Sequence, residues 1–372
     1  MENDHRHFSY FLFESFDAHA ESGNPLNPRN LLNASVDNIL SWAADTPTER
    51  RTFLAACKRF GEDSITRLID SGILRKDDQV LFFDTPVFLS EDAEKLASFF
   101  SVAATRFVRL IREKEQKLYE LAGAVKNGFS AQTNLYHIIC GMCFDGLFLD
   151  RLSEAGILSN SRWHKSGLDY LAVIYEKSSA LERFSNNLLC SYNRIRNDVC
   201  ALQSFGDANG NRPDCYRFFR LREKNLLPPE FASIKETVAD LSEDDLLIGL
   251  SDILNKKHVD PMIARSLESF GYLKNGHICV PVFSRKDSDT IRTIESFLED
   301  ILLRPIGEWL SDLSALKITA VSHGVANGEI ANECWHILFG CMNEILVSTG
   351  VVAKPPFKAG EGRYLQSIEV YR

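Results

Sequence analysis

Long apolar runs, a surplus of positive charge and the spacings of catalytic loops are what this sequence lacks. No apolar stretch approaches the roughly 18 residues that a membrane-spanning helix needs, so no membrane partner is expected. Lys and Arg number 42 against 51 Asp and Glu, a formal net charge of -9. That deficit argues against a broad phosphate-binding face, although local basic patches survive on acidic proteins. Absent as well are G-x-x-x-x-G-K-[ST], G-x-G-x-x-G after a strand, G-x-S-x-G and H-E-x-x-H, the spacings that place phosphates, nucleophiles or zinc. Nothing therefore nominates a nucleophile or a base, and the expectation is a protein that is not an enzyme and carries no cofactor. Asp4, His5, Arg6 and His7 precede a short apolar stretch without the order of a secretory signal. Nine cysteines, an odd number, read as reduced thiols rather than a disulfide framework, and the expected location is cytoplasmic.

Several local signals invite a specific chemistry and fall short of it. His137, Cys140 and Cys143 form H-x-x-C-x-x-C on an expected helix, but no second CxxC completes four zinc ligands, so no metal is expected and the cysteines read as packing residues. Asp207-Ala208-Asn209-Gly210-Asn211 opens like a calcium loop. Arg212 then stands where glycine is needed and Phe218 where a bidentate glutamate is needed, which makes it a turn. Between Arg212 and Arg222, aromatic residues interleave with Arg212, Arg217, Arg220 and Arg222. Such a run suits a nucleic-acid strand or an acidic partner. It equally suits stems that cover apolar surface while their heads pair with carboxylates, the preferred reading.

What the sequence does contain is self-similarity. Ile65 to Leu74 matches Ala264 to Leu273 at an offset of 199 residues, sharing Leu68/Leu267, Gly72/Gly271 and Leu74/Leu273. Pro86-Val87-Phe88 recurs as Pro281-Val282-Phe283. At the same offset Tyr136-His137-Ile138-Ile139-Cys140-Gly141 faces Trp335-His336-Ile337-Leu338-Phe339-Gly340, with Asp145 or Glu344 four residues beyond each glycine. Gly156-Ile157-Leu158 and Tyr170-Leu171 recur as Gly350-Val351-Val352 and Tyr364-Leu365. Four matches in one order predict two diverged copies, residues 34–176 and 236–372, after an N-terminal extension (1–33) and around a structured connector (177–235). The connector is expected to hold a helix from Ala180 to Phe205 and a loop to Asn211.

Each copy predicts a helix, a second helix ending at glycine, and a hairpin turning at Lys76-Asp77-Asp78 or Lys274-Asn275-Gly276. Amphipathic helices over 91–121 and 288–313 should follow, then the His-Gly-acid helix. Helix, turn, helix, hairpin resembles a winged helix-turn-helix, and Ile263 to Leu273 resembles a recognition helix running into its wing. The likeness covers roughly 45 residues per copy and points to no particular family. It implies a DNA-reading helix in each copy, with Arg67, Arg75, Lys76, Arg265 and Lys274 as the phosphate-facing candidates. Acids interleave with them: Glu62, Asp63, Asp70, Asp77 and Asp78 in one copy, Asp260 and Glu268 in the other.

The fold class expected is thus α+β, predominantly helical, with two tandem copies of a winged-helix-like module joined to a helical module. The expected function is a non-enzymatic regulator that binds DNA while its helical modules sense a small-molecule ligand or form a homodimer. The alternative is a ligand- or protein-binding protein whose winged units are only scaffold, with an unrecognised enzyme third. His137, Gly141, Asp145, His336, Gly340 and Glu344 are the candidates for a ligand site or a junction between copies. If the two glycine-bearing helices cross antiparallel, His137 meets Glu344 and His336 meets Asp145.

Overall fold

The computed structural model describes residues 6–14, 21–185, 188–223, 227–238 and 240–372; Asp4 and His5 lie outside them. The chain is mixed α/β and predominantly helical. It divides into two compact units that do not follow the sequence segments. Unit 1 holds residues 1–103, 150–185 and 305–338, and unit 2 holds 104–149, 186–304 and 339–372. The helical stretch after the first hairpin therefore belongs with the second hairpin.

In unit 1, Thr52 caps the Phe53–Phe60 helix by accepting from Ala55 N at 3.2 Å. Gly61, at φ 88°, turns the chain into the Glu62–Asp70 helix, whose first-turn acids suit its positive end. Gly72, at φ 70°, ends that helix, with Ile73 N returning to Leu68 O at 2.9 Å. The hairpin follows as β2 (Leu74–Asp77) and β3 (Val80–Phe83) after β1 (Phe8–Glu14). Its turn is Asp78-Gln79, both left-handed, one residue past the expected Lys76-Asp77-Asp78. β4 (Val87–Phe88) pairs parallel with β6 (Asp169–Glu176), while β1 and β5 (Arg162–Trp163) pair with it antiparallel. Phe8–Glu14 is thus a sheet strand: Phe8 faces Glu176 and is buried.

Unit 2 has the same sequence of devices. The Glu243–Leu254 helix starts in a Ser242/Asp245 capping box, and the Pro261–Ser269 helix is capped by Asp260. Gly271, at φ 81°, ends it, with Tyr272 N bonded to Leu267 O at 3.0 Å. The expected helix over 180–205 is not formed. A short helix, Ser179–Ser185, gives way to β7 (Leu189–Arg196) and β8 (Cys200–Asp207), turned by Asn197, whose side chain accepts from Val199 N and Cys200 N. Apolar spacing there suited a helix, but an Asx turn and a sheet partner override it. β9 (Leu273–Lys274) and β10 (His277–Ile278) form the second hairpin over the left-handed Asn275-Gly276 turn, as expected. β11 (Val282–Phe283) runs parallel to β13 (Gly362–Val370), and β8 and β12 (Phe357–Lys358) run antiparallel to it. β8 so occupies beside β13 the place that β1 occupies beside β6.

The expected continuous helices are interrupted. Residues 91–121 form helices Ala93–Arg112 and Glu115–Ala122, and 288–313 form Ser288–Leu298, a π-helical turn and Arg304–Ser311. The segment Tyr136–Leu147 is π-helical, whereas its expected counterpart lies in one long α-helix, Asn327–Ser348. No described helix is long and apolar enough to cross a membrane.

Candidate functional site

The two hairpin-bearing faces dispose of their charge differently. In unit 2 the turn before the Pro261–Ser269 helix carries Lys256, Lys257 and His258, all exposed. Arg265 follows one turn into the helix and Lys274 stands on the hairpin, both exposed. The nearby acids are spent on backbone: Asp260 accepts from Met262 N at 2.7 Å, and Glu268 from Asn275 N at 2.6 Å. Lys257 has an exposed ion pair with Asp252 at 3.3 Å, of small worth in water. Arg265 makes one long bond, to Pro261 O at 3.3 Å. Four basic side chains therefore face solvent around one helix start, and Lys274 faces solvent beyond the helix's other end, where Glu268 binds Asn275 N. Lys256, Lys257 and His258 escaped sequence reasoning, although three consecutive basic residues at the helix-turn-helix corner were the available signal.

In unit 1 one of the corresponding cations, Arg75, is committed. Arg67 has an exposed ion pair with Asp63 at 2.8 Å, and Lys76, also exposed, lies over the Phe53 ring at 4.6 Å. Arg75 turns inward, donating to Phe83 O at 3.0 Å and to His323 O at 2.5 Å, 3.7 Å from Asp84. It is a structural clasp, not a phosphate-facing residue. The corner here has the exposed Lys58 and Arg59 before Gly61 and the acids Glu62 and Asp63 after it.

The expected crossing of two glycine-bearing helices is not what the glycines serve. A side chain at Gly141 would meet Tyr192 at 3.1 Å and Phe205 at 3.5 Å, and one at Gly340 would meet Leu188 at 3.1 Å. Both glycines make room for the β7–β8 region of unit 2. Both acids and one of the two histidines take partners within their own units. Asp145 accepts from Tyr192 N at 2.6 Å, and Glu344 grips Arg363 through both oxygens at 2.6 and 2.9 Å. His336 Nδ1 bonds Asn332 O at 2.9 Å within its own helix, and its ring packs on Phe13. His137 Nε2 is buried without a hydrogen-bond partner, 6.0 Å ring to ring from Phe283. Burial pushes His137 down to about 3 and Asp145 up to about 8.

Three polar groupings lay beyond sequence reasoning. In unit 2 Arg212, fully buried, donates to Ser204 Oγ at 3.0 Å, Asp214 at 3.2 Å, Asp207 O at 2.7 Å and Ser191 O at 2.9 Å. Arg363 bridges Asp207 and Glu344. Within the aromatic-arginine run Arg212 is interior while Arg217, Arg220 and Arg222 are half-buried, with Arg222 over Phe219 at 4.7 Å and bonded to Leu241 O. In unit 1 Arg162 joins Asp84 at 2.9 Å to Glu329 at 3.0 Å on the Asn327–Ser348 helix. One turn on, Glu333 accepts from Tyr175 OH at 2.6 Å, and burial pushes both Glu329 and Glu333 up to about 7. The third grouping is Arg51 with His323, also in unit 1, at 3.2 Å.

Cys140 and Cys143 are buried free thiols pushed upward by burial. Among the described residues no group of three His, Cys, Asp or Glu side chains is placed to hold a metal ion. The chain matches no family model, no curated protein and no solved structure.

Proposed function

We propose that this is a non-enzymatic regulatory protein built of two related winged-helix-like halves, and that it contacts DNA through unit 2. The observation that carries this reading is the exposed cluster of Lys256, Lys257, His258 and Arg265 around the start of one helix, with Lys274 exposed on the hairpin beyond its end, while Asp260 and Glu268 already serve backbone N–H groups. A helix inserted in a major groove places its N-terminal residues on base edges, and flanking lysines on the phosphates. Arg265 takes the first role, and Lys256, Lys257 and Lys274 the second. Unit 1, with Arg75 turned inward and the acids Glu62 and Asp63 exposed at its corner, acts as scaffold.

About three phosphate contacts give a slope near -2.7 in log affinity against log salt, hence a loss of about 40-fold between 50 and 200 mM. Fluorescence anisotropy on a random-sequence duplex at those two salt concentrations tests it. Salt-sensitive binding that K256E/K274E abolishes supports the proposal. No salt-sensitive binding at low salt sinks it, and the net charge of -9 then favours the second reading, a ligand- or protein-binding protein whose winged units are scaffold throughout.

A further inference from the structure

Arg51 stands at the foot of the Phe53–Phe60 helix and is 4% exposed. Its Nε donates to Leu81 O at 2.5 Å and its Nη1 to Ala43 O at 3.0 Å. No carboxylate among the described residues pairs with it, and burial alone drives its pKa down. A buried charge is ordinarily paired, because removing an ion from water costs several kcal/mol (about that order even after relaxation). Here Arg75, itself 3.7 Å from Asp84, is the charged neighbour: the guanidinium groups of Arg51 and Arg75 lie 5.0 and 5.1 Å from the centre of the Phe82 ring.

His323 sharpens the anomaly. It is 5% exposed, and its Nδ1 lies 3.0 Å from Phe83 N. A backbone N–H only donates, so Nδ1 accepts and carries no proton. A neutral ring must then carry its proton on Nε2. That atom faces Arg51 Nη1 at 3.2 Å, and an arginine nitrogen is also only a donor. Protonating the ring offers no escape, since burial, Arg51 and Arg75 hold His323 down to about 3. Two N–H groups are thus set side by side with no acceptor between them. One oxygen placed beside the pair takes a hydrogen bond from each. Arg51 Nη2, which has no acceptor among the described residues and is not one of the fully buried orphan atoms, supplies a third donor.

We propose that Arg51 and His323 of unit 1 form a binding site for a small oxyanion, a phosphate or carboxylate group, whose charge is answered by Arg51 and Arg75. The anion accepts from His323 Nε2–H and from the Arg51 guanidinium. Its negative charge offsets the two buried or half-buried cations. Arg75 contributes through the field, with its own donors held by Phe83 O and His323 O. The site is asymmetric: at the 199-residue offset His323 corresponds to Ala124 and Arg75 to Lys274, so unit 2 has no counterpart. This inference is independent of DNA binding, since it concerns unit 1 and its readout needs no nucleic acid.

The test uses the whole chain with histidine rings labelled with nitrogen-15, titrated at pH 7 and constant ionic strength with inorganic phosphate, acetate or chloride. Expected is saturable binding of one phosphate or acetate per chain by calorimetry, with a shift of the His323 Nε2 resonance and none on chloride addition. Preference for phosphate over acetate identifies the source class. R51K should keep the charge, lose the fork and weaken binding at least tenfold; R75Q should weaken it severalfold while folding normally. If Arg51 variants fail to fold, the wild-type His323 shift and R75Q still decide. No saturable binding of either anion, a His323 resonance indifferent to both, or full affinity in folded R51K would overturn the site and leave a water as the shared acceptor.

Discussion

Set side by side, the hairpin face of unit 1 and that of unit 2 have the same helix-turn-helix-hairpin order and a different disposition of charge. In unit 2 Asp260 and Glu268 are tied to backbone and the cations face solvent; in unit 1 Arg75 is tied to backbone carbonyls, and Glu62 and Asp63 are exposed beside Lys58 and Arg59. The interiors reverse the pattern. Unit 2 joins Arg212 to Asp214 and Arg363 to Asp207 and Glu344, whereas in unit 1 no carboxylate among the described residues pairs with the buried Arg51. A local fold therefore does not determine what its face binds. What decides is whether each charged head finds a partner within the unit.

The largest effect expected from this difference concerns the closed interior of unit 2. Removing Arg212 leaves Asp214 buried and unpaired, so R212M should cost about 3–5 kcal/mol. R162M in unit 1 should cost about half as much or less, because Arg162 is one-third exposed and water can replace part of its pairing. Chemical denaturation with both variants checks the ranking. Equal losses would mean that unit 1 is as closed as unit 2. Next in size is the surface contrast. R265E/K274E should lower duplex affinity by about 100-fold at 50 mM salt and flatten the salt slope, and R67E/K76E should change it less than threefold. An equal response from the two pairs would erase the distinction between the faces.

A third effect is a matter of pH. Burial raises Asp145 to about 8 from an ordinary 3.8, so the folded chain holds that proton more tightly than the unfolded chain does. Its contribution to stability is full below about pH 4 and is lost as pH rises towards 8. D145N keeps an oxygen to accept from Tyr192 N and cannot ionise. It should therefore raise the melting temperature at pH 8 by a few degrees, corresponding to roughly 1–3 kcal/mol, and leave it nearly unchanged at pH 4. Glu329 and Glu333 in unit 1, raised to about 7, should produce the same slope up to about pH 7 only. Melting curves across pH 4–8 that are parallel for D145N and wild type would refute the assignment.

Much of the local order was legible in the sequence, and much of the long-range arrangement was not. Gly72 and Gly271 ending their helices, and Asn275-Gly276 turning a hairpin, follow from backbone sterics at single residues. The strand character of 189–207 was hidden, because its apolar spacing also fits a helix and the choice is made by β13, more than 150 residues away. The same limit hid the division into units, in which 104–149 joins the second hairpin. At the site level, Arg75 was visible as a cation, but its inward course depends on His323, 248 residues on. Arg51 gave no signal at all: a lone arginine before a helix is ordinary until its burial is known.

The smallest expected effect compares the two histidines that share a place in the His-Gly-acid motif. His336 bonds Asn332 O through Nδ1, whereas His137 Nε2 is buried with no hydrogen-bond partner. An unmet buried polar atom costs about 1–3 kcal/mol, and an apolar side chain of similar volume avoids that cost. H137L should therefore be neutral or stabilising by about 1 kcal/mol at pH 7, with some of the gain lost to imperfect packing against Phe283. H336L, which deletes a formed bond and its packing on Phe13, should destabilise by about 1 kcal/mol. Acid separates them further. Because burial holds His137 near 3, below its ordinary 6.5, its contribution to stability is present above pH 6.5 and drains away as pH falls towards 3. H137L should thus unfold at a lower pH than the wild type. Should H137L instead destabilise at pH 7, the imidazole has a donor or acceptor bound beside it in solution, and His137 joins the ligand candidates rather than the core.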